Sequence, residues 1–156
     1  MTRFFDLDEA NGTLPEVRTI LEALRDERAE LIRLRDKVVE SQAPAEAPSE
    51  TPTEANVGGT GRPSEPVERD GNPNDAEIRV LRLRMQGVID QMQAGVARID
   101  ELGITLREIE TGLIDFPALA SGRQIWLCWR LGEKDVGWWH ELGDGFSARR
   151  ALADLT

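Results

Sequence analysis

Apolar positions fall into two helical stripes and one alternating stretch. Val17, Ile20, Leu24, Leu31, Leu34 and Val38 recur in steps of three and four, broken only at Glu27, and a helix gathers such positions on one side. Ile78, Leu81, Met85, Val88, Met92, Ile99 and Leu102 repeat the pattern, with Gly95 as the gap. Thr13 with Glu16, and Asn74 with Glu77, have capping-box spacing and predict the two helix starts, while Gly103 predicts a left-handed stop. Asp6 and Glu9 have the same spacing and predict a separate short turn ending near Asn11-Gly12.

Beyond Gly103 the period changes. Ile104, Leu106 and the run Leu113-Ile114-Asp115-Phe116 predict one or two short strands, the second closed by Pro117. Residues 124–131 and 136–142 predict a hairpin around Gly132-Glu133-Lys134-Asp135, and 146–155 a helical turn or short helix. The fold class is therefore α+β: a long, coiled-coil-like antiparallel helical hairpin, then a small antiparallel β-sheet and a short C-terminal helix. Opposed end to end, the helices place Leu24 near Gly95 and Glu27 near Met92. Either the paired gaps are a packing irregularity, or Glu27 faces a pocket or a second hairpin.

Between the stripes, residues 41–75 carry six prolines with Gly58, Gly59 and Gly61, and only Val57 and Val67 as strongly apolar side chains. Too little can be buried there to offset chain entropy, so a disordered linker is expected. The organisation follows: a cap and first helix in 1–40, the linker in 41–75, and the second helix with the hairpin region in 76–156, which forms one structural domain with 1–40. A linker of this length reaches roughly 30 Å, ample for the second helix to return along the first.

The net charge of −10 and isoelectric point near 4.7 argue against nucleic acid or an anionic membrane as partner. One cysteine rules out an internal disulfide and suits a reducing compartment. No apolar export segment and no run of membrane-spanning length is present, so a cytoplasmic location is expected.

All four tryptophans, the one cysteine and the one histidine lie in the segment from Trp126 to His140. A four-residue loop would pair Trp129 with Trp138 and Cys128 with Trp139. Ile125, Leu127, Trp129, Leu131, Val136, Trp138 and His140 would then share one side, and Trp126, Cys128, Arg130, Trp139 and Glu141 the other. Arg130 would stack on Trp139 across the notch at Gly137, and tryptophan with arginine is the chemistry of binding surfaces. Alternatively, a tail segment or the first strand covers this side as a second core layer. Histidine is the one side-chain type whose unperturbed pKa lies near neutrality, yet this register points His140 away from Cys128, and a cysteine–histidine pair would need a bulge or another loop length. No spaced metal-ligand set is present, and neither metal nor cofactor is expected. Asp6-Leu7-Asp8 lacks the later ligands of a calcium loop, and Gly58-Gly59-Thr60-Gly61 has no strand–helix context for a phosphate cradle. Asp115, set between Ile114 and Phe116, requires a cation such as Arg123 or a backbone amide.

The segments FFDLDEANGTLP and GLIDFPALASGRQIWLCWRLGEKDVGWWHELGDGF resemble the prokaryotic domain of unknown function 2203 family, covering both ends of the chain and skipping the linker. The resemblance implies a small bacterial cytoplasmic protein, carries no activity, and marks Asp115, Arg123, Cys128, Trp129, Glu133, Trp139, His140, Glu141 and Arg149 as motif positions. Ser121 and Ala148 depart from its pattern, where an acidic residue and a glycine are usual.

Two functions are open. The first is a non-enzymatic interaction module, with itself or another protein as partner, that uses the heptad seam and a surface of Arg123, Trp126, Cys128, Arg130, Trp139 and Arg149. Two helices alone leave part of an apolar stripe uncovered, which a homo-oligomer would bury. The alternative is a small-molecule or metal-dependent enzyme with a pocket at the hairpin–helix junction, with Asp115, His140 and Glu141 as ligands or general base.

Overall fold

The computed structural model describes residues 2–42 and 73–155. Helix α1 spans Leu7–Gln42 and α2 spans Pro73–Glu101; the expected linker, apart from its first two and last three residues, lies outside the described residues.

The start of α1 is a reciprocal cap. The Glu9 amide donates to Asp6 Oδ1 at 2.7 Å and the Asp6 amide to Glu9 Oε2 at 3.1 Å. The helix then runs through Asn11 and Gly12 without a break, and Thr13 is an interior residue whose hydroxyl donates to the Ala10 carbonyl. The separate first turn expected from the sequence is absent because Ala10, Leu14 and Val17 form one buried row, and keeping that row continuous outweighs the cost of about 1 kcal/mol for an interior glycine. At the other end Pro73 is the first residue of α2, where the missing amide costs nothing, so the expected Asn74 cap lies one residue inside the helix.

The helices pair antiparallel. Arg98 of α2 binds Glu16 of α1 at 2.7 Å, and a Cβ on Gly95 would approach Leu24 Cδ2 to 3.0 Å. The gap at Gly95 is therefore the room that Leu24 occupies. The gap at Glu27 leaves Oε2 buried with no hydrogen-bond partner among the described residues, and burial, with Asp26 beside it, raises the pKa of this carboxyl. Far from the sheet the seam narrows to Leu34, Val38, Ile78 and Leu81, flanked by Met85 and Val88.

Five strands follow as an antiparallel meander: β1 Thr105–Glu108, β2 Leu113–Ala120, β3 Arg123–Arg130, β4 Trp138–Glu141 and β5 Arg150–Ala151. The tail is two 3₁₀ turns, Phe146–Ala148 and Leu152–Asp154, on either side of β5, which pairs with Trp138 and Trp139. Ser121 and Gly122, both at positive φ, close β2 onto β3 as a two-residue turn. Pro117 does not end β2. Because β1 pairs only with Leu113–Asp115, the flank of β2 at Pro117 has no strand beside it to require an amide, and the Pro117 carbonyl accepts from the Phe5 amide at 2.7 Å.

The connection from β3 to β4 decides the rest. It runs from residue 131 to 137 rather than 132 to 135, and pairs Cys128 with Trp138, Leu127 with Trp139, Trp126 with His140 and Ile125 with Glu141. Val136 is a loop residue, its side chain buried and its amide donating to Asn11 Oδ1 on α1 at 2.8 Å. Gly132 takes positive φ, and the Arg130 amide is taken by the Glu133 carboxylate at 2.9 Å. These anchors lengthen the loop and shift the register by one residue, which turns every side chain of β4 to the opposite side. Trp139 therefore enters the core with Ile114, Phe116, Ala118, Ile125, Leu127 and Trp129 against α1 and Ile99 of α2. His140 turns to the other side, with Cys128.

Candidate functional site

On the outer side of the sheet, three neighbouring strands each contribute one chemically competent residue. Asp115 pairs directly with Cys128 across β2 and β3, and His140 is paired with Trp126, diagonal to Cys128. Adjacent strands place such side chains within reach. All three are at most 3% exposed, and one ligand atom from each lies within 4.8 Å of the others. The sequence expectation that thiol and imidazole face opposite ways is thus reversed by the longer loop.

Asp115 is held by its Oδ2 atom. Arg107 Nε donates to it at 2.8 Å, and His140 Nε2 lies 3.1 Å away. The register of β1 against β2 slips between Leu106 and Glu108; the bulge leaves Arg107 as the extra residue and re-aims it onto Asp115. The cation on Asp115 is therefore Arg107, not Arg123. Asp115 Oδ1 has no hydrogen-bond partner among the described residues, an arrangement that costs free energy in a buried carboxylate.

The imidazole geometry is informative. Nδ1 lies 2.9 Å from the backbone carbonyl of Glu141, which can only accept, so Nδ1 carries the proton. In the neutral ring Nε2 is then a lone pair aimed at a carboxylate oxygen. Two acceptors at that distance need a proton or a metal ion between them. Cys128 is pushed up to about 12 by burial and by the negative charge of Asp115, with Arg149 opposing. The free lone pair of the ring, at Nε2, is aimed at Asp115 Oδ2, and a thiol pushed up this far is not an activated nucleophile, so the trio is not a cysteine–histidine nucleophile. As a ligand set it is coherent: thiolate, imidazole and carboxylate are the donors of zinc and similar cations, for which tetrahedral geometry requires donor separations of roughly 3 to 4 Å. A metal-bound histidine characteristically donates its second nitrogen to a carbonyl or carboxylate, which His140 does.

The cluster opens onto a pocket of about 240 Å³ lined by Arg107, Leu113, Asp115, Cys128, Leu142, Asp144, Gly145 and Phe146. Its far wall is the tail. Arg149 donates to both carboxylate oxygens of Glu133, at 2.8 and 3.1 Å, and its guanidinium lies over Phe146 at 4.2 Å and over Trp138 at 4.6 Å.

The other residues singled out from the sequence are dispersed. Trp139 is in the core, and Arg130 lies over Phe146 at 5.0 Å rather than over Trp139. Trp126 is covered by Arg107 at 4.9 Å. Arg123 donates to both oxygens of Glu141, at 3.2 and 2.7 Å, at the edge of the sheet; that bond is the main cause that lowers the Glu141 pKa. Glu141 contributes its backbone carbonyl to the site, not its carboxylate, and Arg123 also lies over the Trp139 ring at 5.9 Å. Sequence reasoning missed Arg107 and the pocket wall from Leu142 to Phe146, and the one available signal for the first was a cation facing Asp115 across the 109–112 turn.

No curated protein and no solved structure shows a significant match to the chain. A family match spans residues 3–152 and so takes in both helices, the meander and all three residues of the buried cluster. The chain belongs to the family described as uncharacterized conserved protein (DUF2203).

Proposed function

We propose that this protein is a metal-dependent enzyme acting on a small molecule, with Asp115, Cys128 and His140 as ligands of one divalent cation of the zinc type. The observation that carries this reading is the buried trio itself, with Asp115 Oδ1 unpartnered and His140 fixed in the tautomer a ligand needs. Three protein ligands leave one coordination position for water or substrate, the arrangement of catalytic rather than structural zinc sites, and the pocket beside Asp115 and Cys128 supplies room for it. A bound cation would neutralise the facing acceptors, take the proton's place on the thiol and activate water for addition or hydrolysis. A cytoplasmic location fits a site that depends on a reduced cysteine.

The test is metal analysis of protein purified without a histidine tag, followed by zinc titration. The parent is expected to bind one zinc per chain, and His140→Ala or Cys128→Ala to weaken binding at least about 100-fold. Because Cys128 must lose its proton to bind, affinity rises with pH, by about tenfold per unit up to the thiol pKa. Hydrolysis of small activated esters should follow metal content. Absence of stoichiometric metal after titration at pH 8 removes the proposal.

A second reading, self-association through the hairpin, is supported by the flank the sheet leaves open. Val39, Val80 and Leu83 are exposed on the helices, and an apolar groove of about 690 Å³ runs between Leu31, Met92, Val96 and Leu106. Heptad stripes complement a second copy of themselves. Light scattering tests this; a monomer at high concentration excludes it.

A further inference from the structure

We infer that the pocket beside the Asp115, Cys128 and His140 cluster recognises a small organic carboxylate, gripped by Arg107; the inference rests on the proposed metal site and names its ligand class. Arg107 spends Nε on Asp115 and stacks its guanidinium over Trp126, which together fix the plane of the fork. Its terminal nitrogens have no hydrogen-bond partner among the described residues, and the side chain lines the pocket. A planar guanidinium with two parallel N–H groups matches a carboxylate.

The remaining walls choose among anions. Leu113, Leu142 and Phe146 face the same space and offer apolar surface that an inorganic phosphate cannot use but a short hydrocarbon body can. The volume of about 240 Å³ corresponds to roughly eight waters at ~30 Å³ each, so the ligand has a size between butyrate and benzoate. Asp144 on the rim disfavours a second negative charge. One carboxylate oxygen would complete the coordination of the cation and the other would accept from Arg107.

The test uses the full chain loaded with cobalt, whose visible spectrum reports both thiolate ligation and changes at the open position. Butyrate and benzoate are expected to alter the spectrum saturably and to bind at least tenfold more tightly than acetate or inorganic phosphate. Arg107→Gln, brought to the same cobalt content as the parent, should weaken them at least tenfold. Leu142→Glu, at an exposed position, should do the same by placing a charge in the mouth, and guards against a folding defect in the first variant. If cobalt binds and the carboxylates do not, or bind Arg107→Gln as tightly, the inference fails and the metal site stands. If no cobalt binds, the metal reading fails, and calorimetric titration of the metal-free chain with benzoate decides whether Arg107 holds a carboxylate without it; equal heats for parent and Arg107→Gln overturn the inference.

Discussion

The two sides of the five-stranded sheet are built from the same strands and do opposite work. The inner side is a continuous apolar layer of Ile114, Phe116, Ile125, Leu127, Trp129 and Trp139 against α1; its polar atoms are two indole nitrogens, Trp129 Nε1 and Trp139 Nε1, left without hydrogen-bond partners among the described residues. The outer side also buries side chains, but they are Asp115, Cys128 and His140, roofed by a tail held through Arg149 and Glu133. Burial on the first side stabilises. On the second it leaves a carboxylate oxygen unpaired, and a charged group left so costs more than the neutral indole nitrogens of the inner side. An apolar trio of the same volume would fold at least as well, so the cost points to function.

The contrast can be broken by experiment. The largest effect is expected on the inner side: Phe116→Ala, at a fully buried position, should cost about 3 to 5 kcal/mol in urea denaturation, whereas Cys128→Ala should cost less than half as much. Equal losses would make both sides ordinary core. Next comes the cation. Zinc at a hundredfold excess over its dissociation constant should stabilise the parent by about 2.7 kcal/mol, seen as a rise in melting temperature that Cys128→Ala abolishes.

Alkaline pH acts on the outer side alone. The thiol has an ordinary value of 9.0 and one of about 12 in the metal-free fold, so the unfolded chain releases its proton first. Stability from this group is complete below pH 9 and falls as pH rises toward 12. By pH 10.5 the metal-free parent should lose on the order of 2 kcal/mol relative to Cys128→Ala, measured as denaturation midpoints across that range. The smallest effect is expected at the sheet edge, where Arg123→Gln breaks the exposed pair with Glu141 for less than about 1 kcal/mol and leaves zinc affinity unchanged. A large loss of affinity there would return the Glu141 carboxylate to the site.

Much of the architecture was legible because periodicity reports local geometry. The heptads Val17 to Val38 and Ile78 to Leu102 predict the paired helices, and Leu24 does meet Gly95. The inward parity of β3, with Ile125, Leu127 and Trp129 on one side, was equally legible. The need of Asp115 for a cation followed from its apolar neighbours, although the cation is Arg107.

Which residues share the outer side was not legible, since strand parity passes through a loop only if the loop length is known. The sequence by itself determined an α+β chain with two seam-forming helices and a chemically rich C-terminal segment. Tertiary structure decided the register, because Asn11 on α1 captures the Val136 amide and Glu133 captures that of Arg130, contacts distant in the chain or dependent on the final turn. A strand repeats every two residues, so that one-residue shift, together with the bulge at Arg107, is what brings a carboxylate, a thiol and an imidazole to one point.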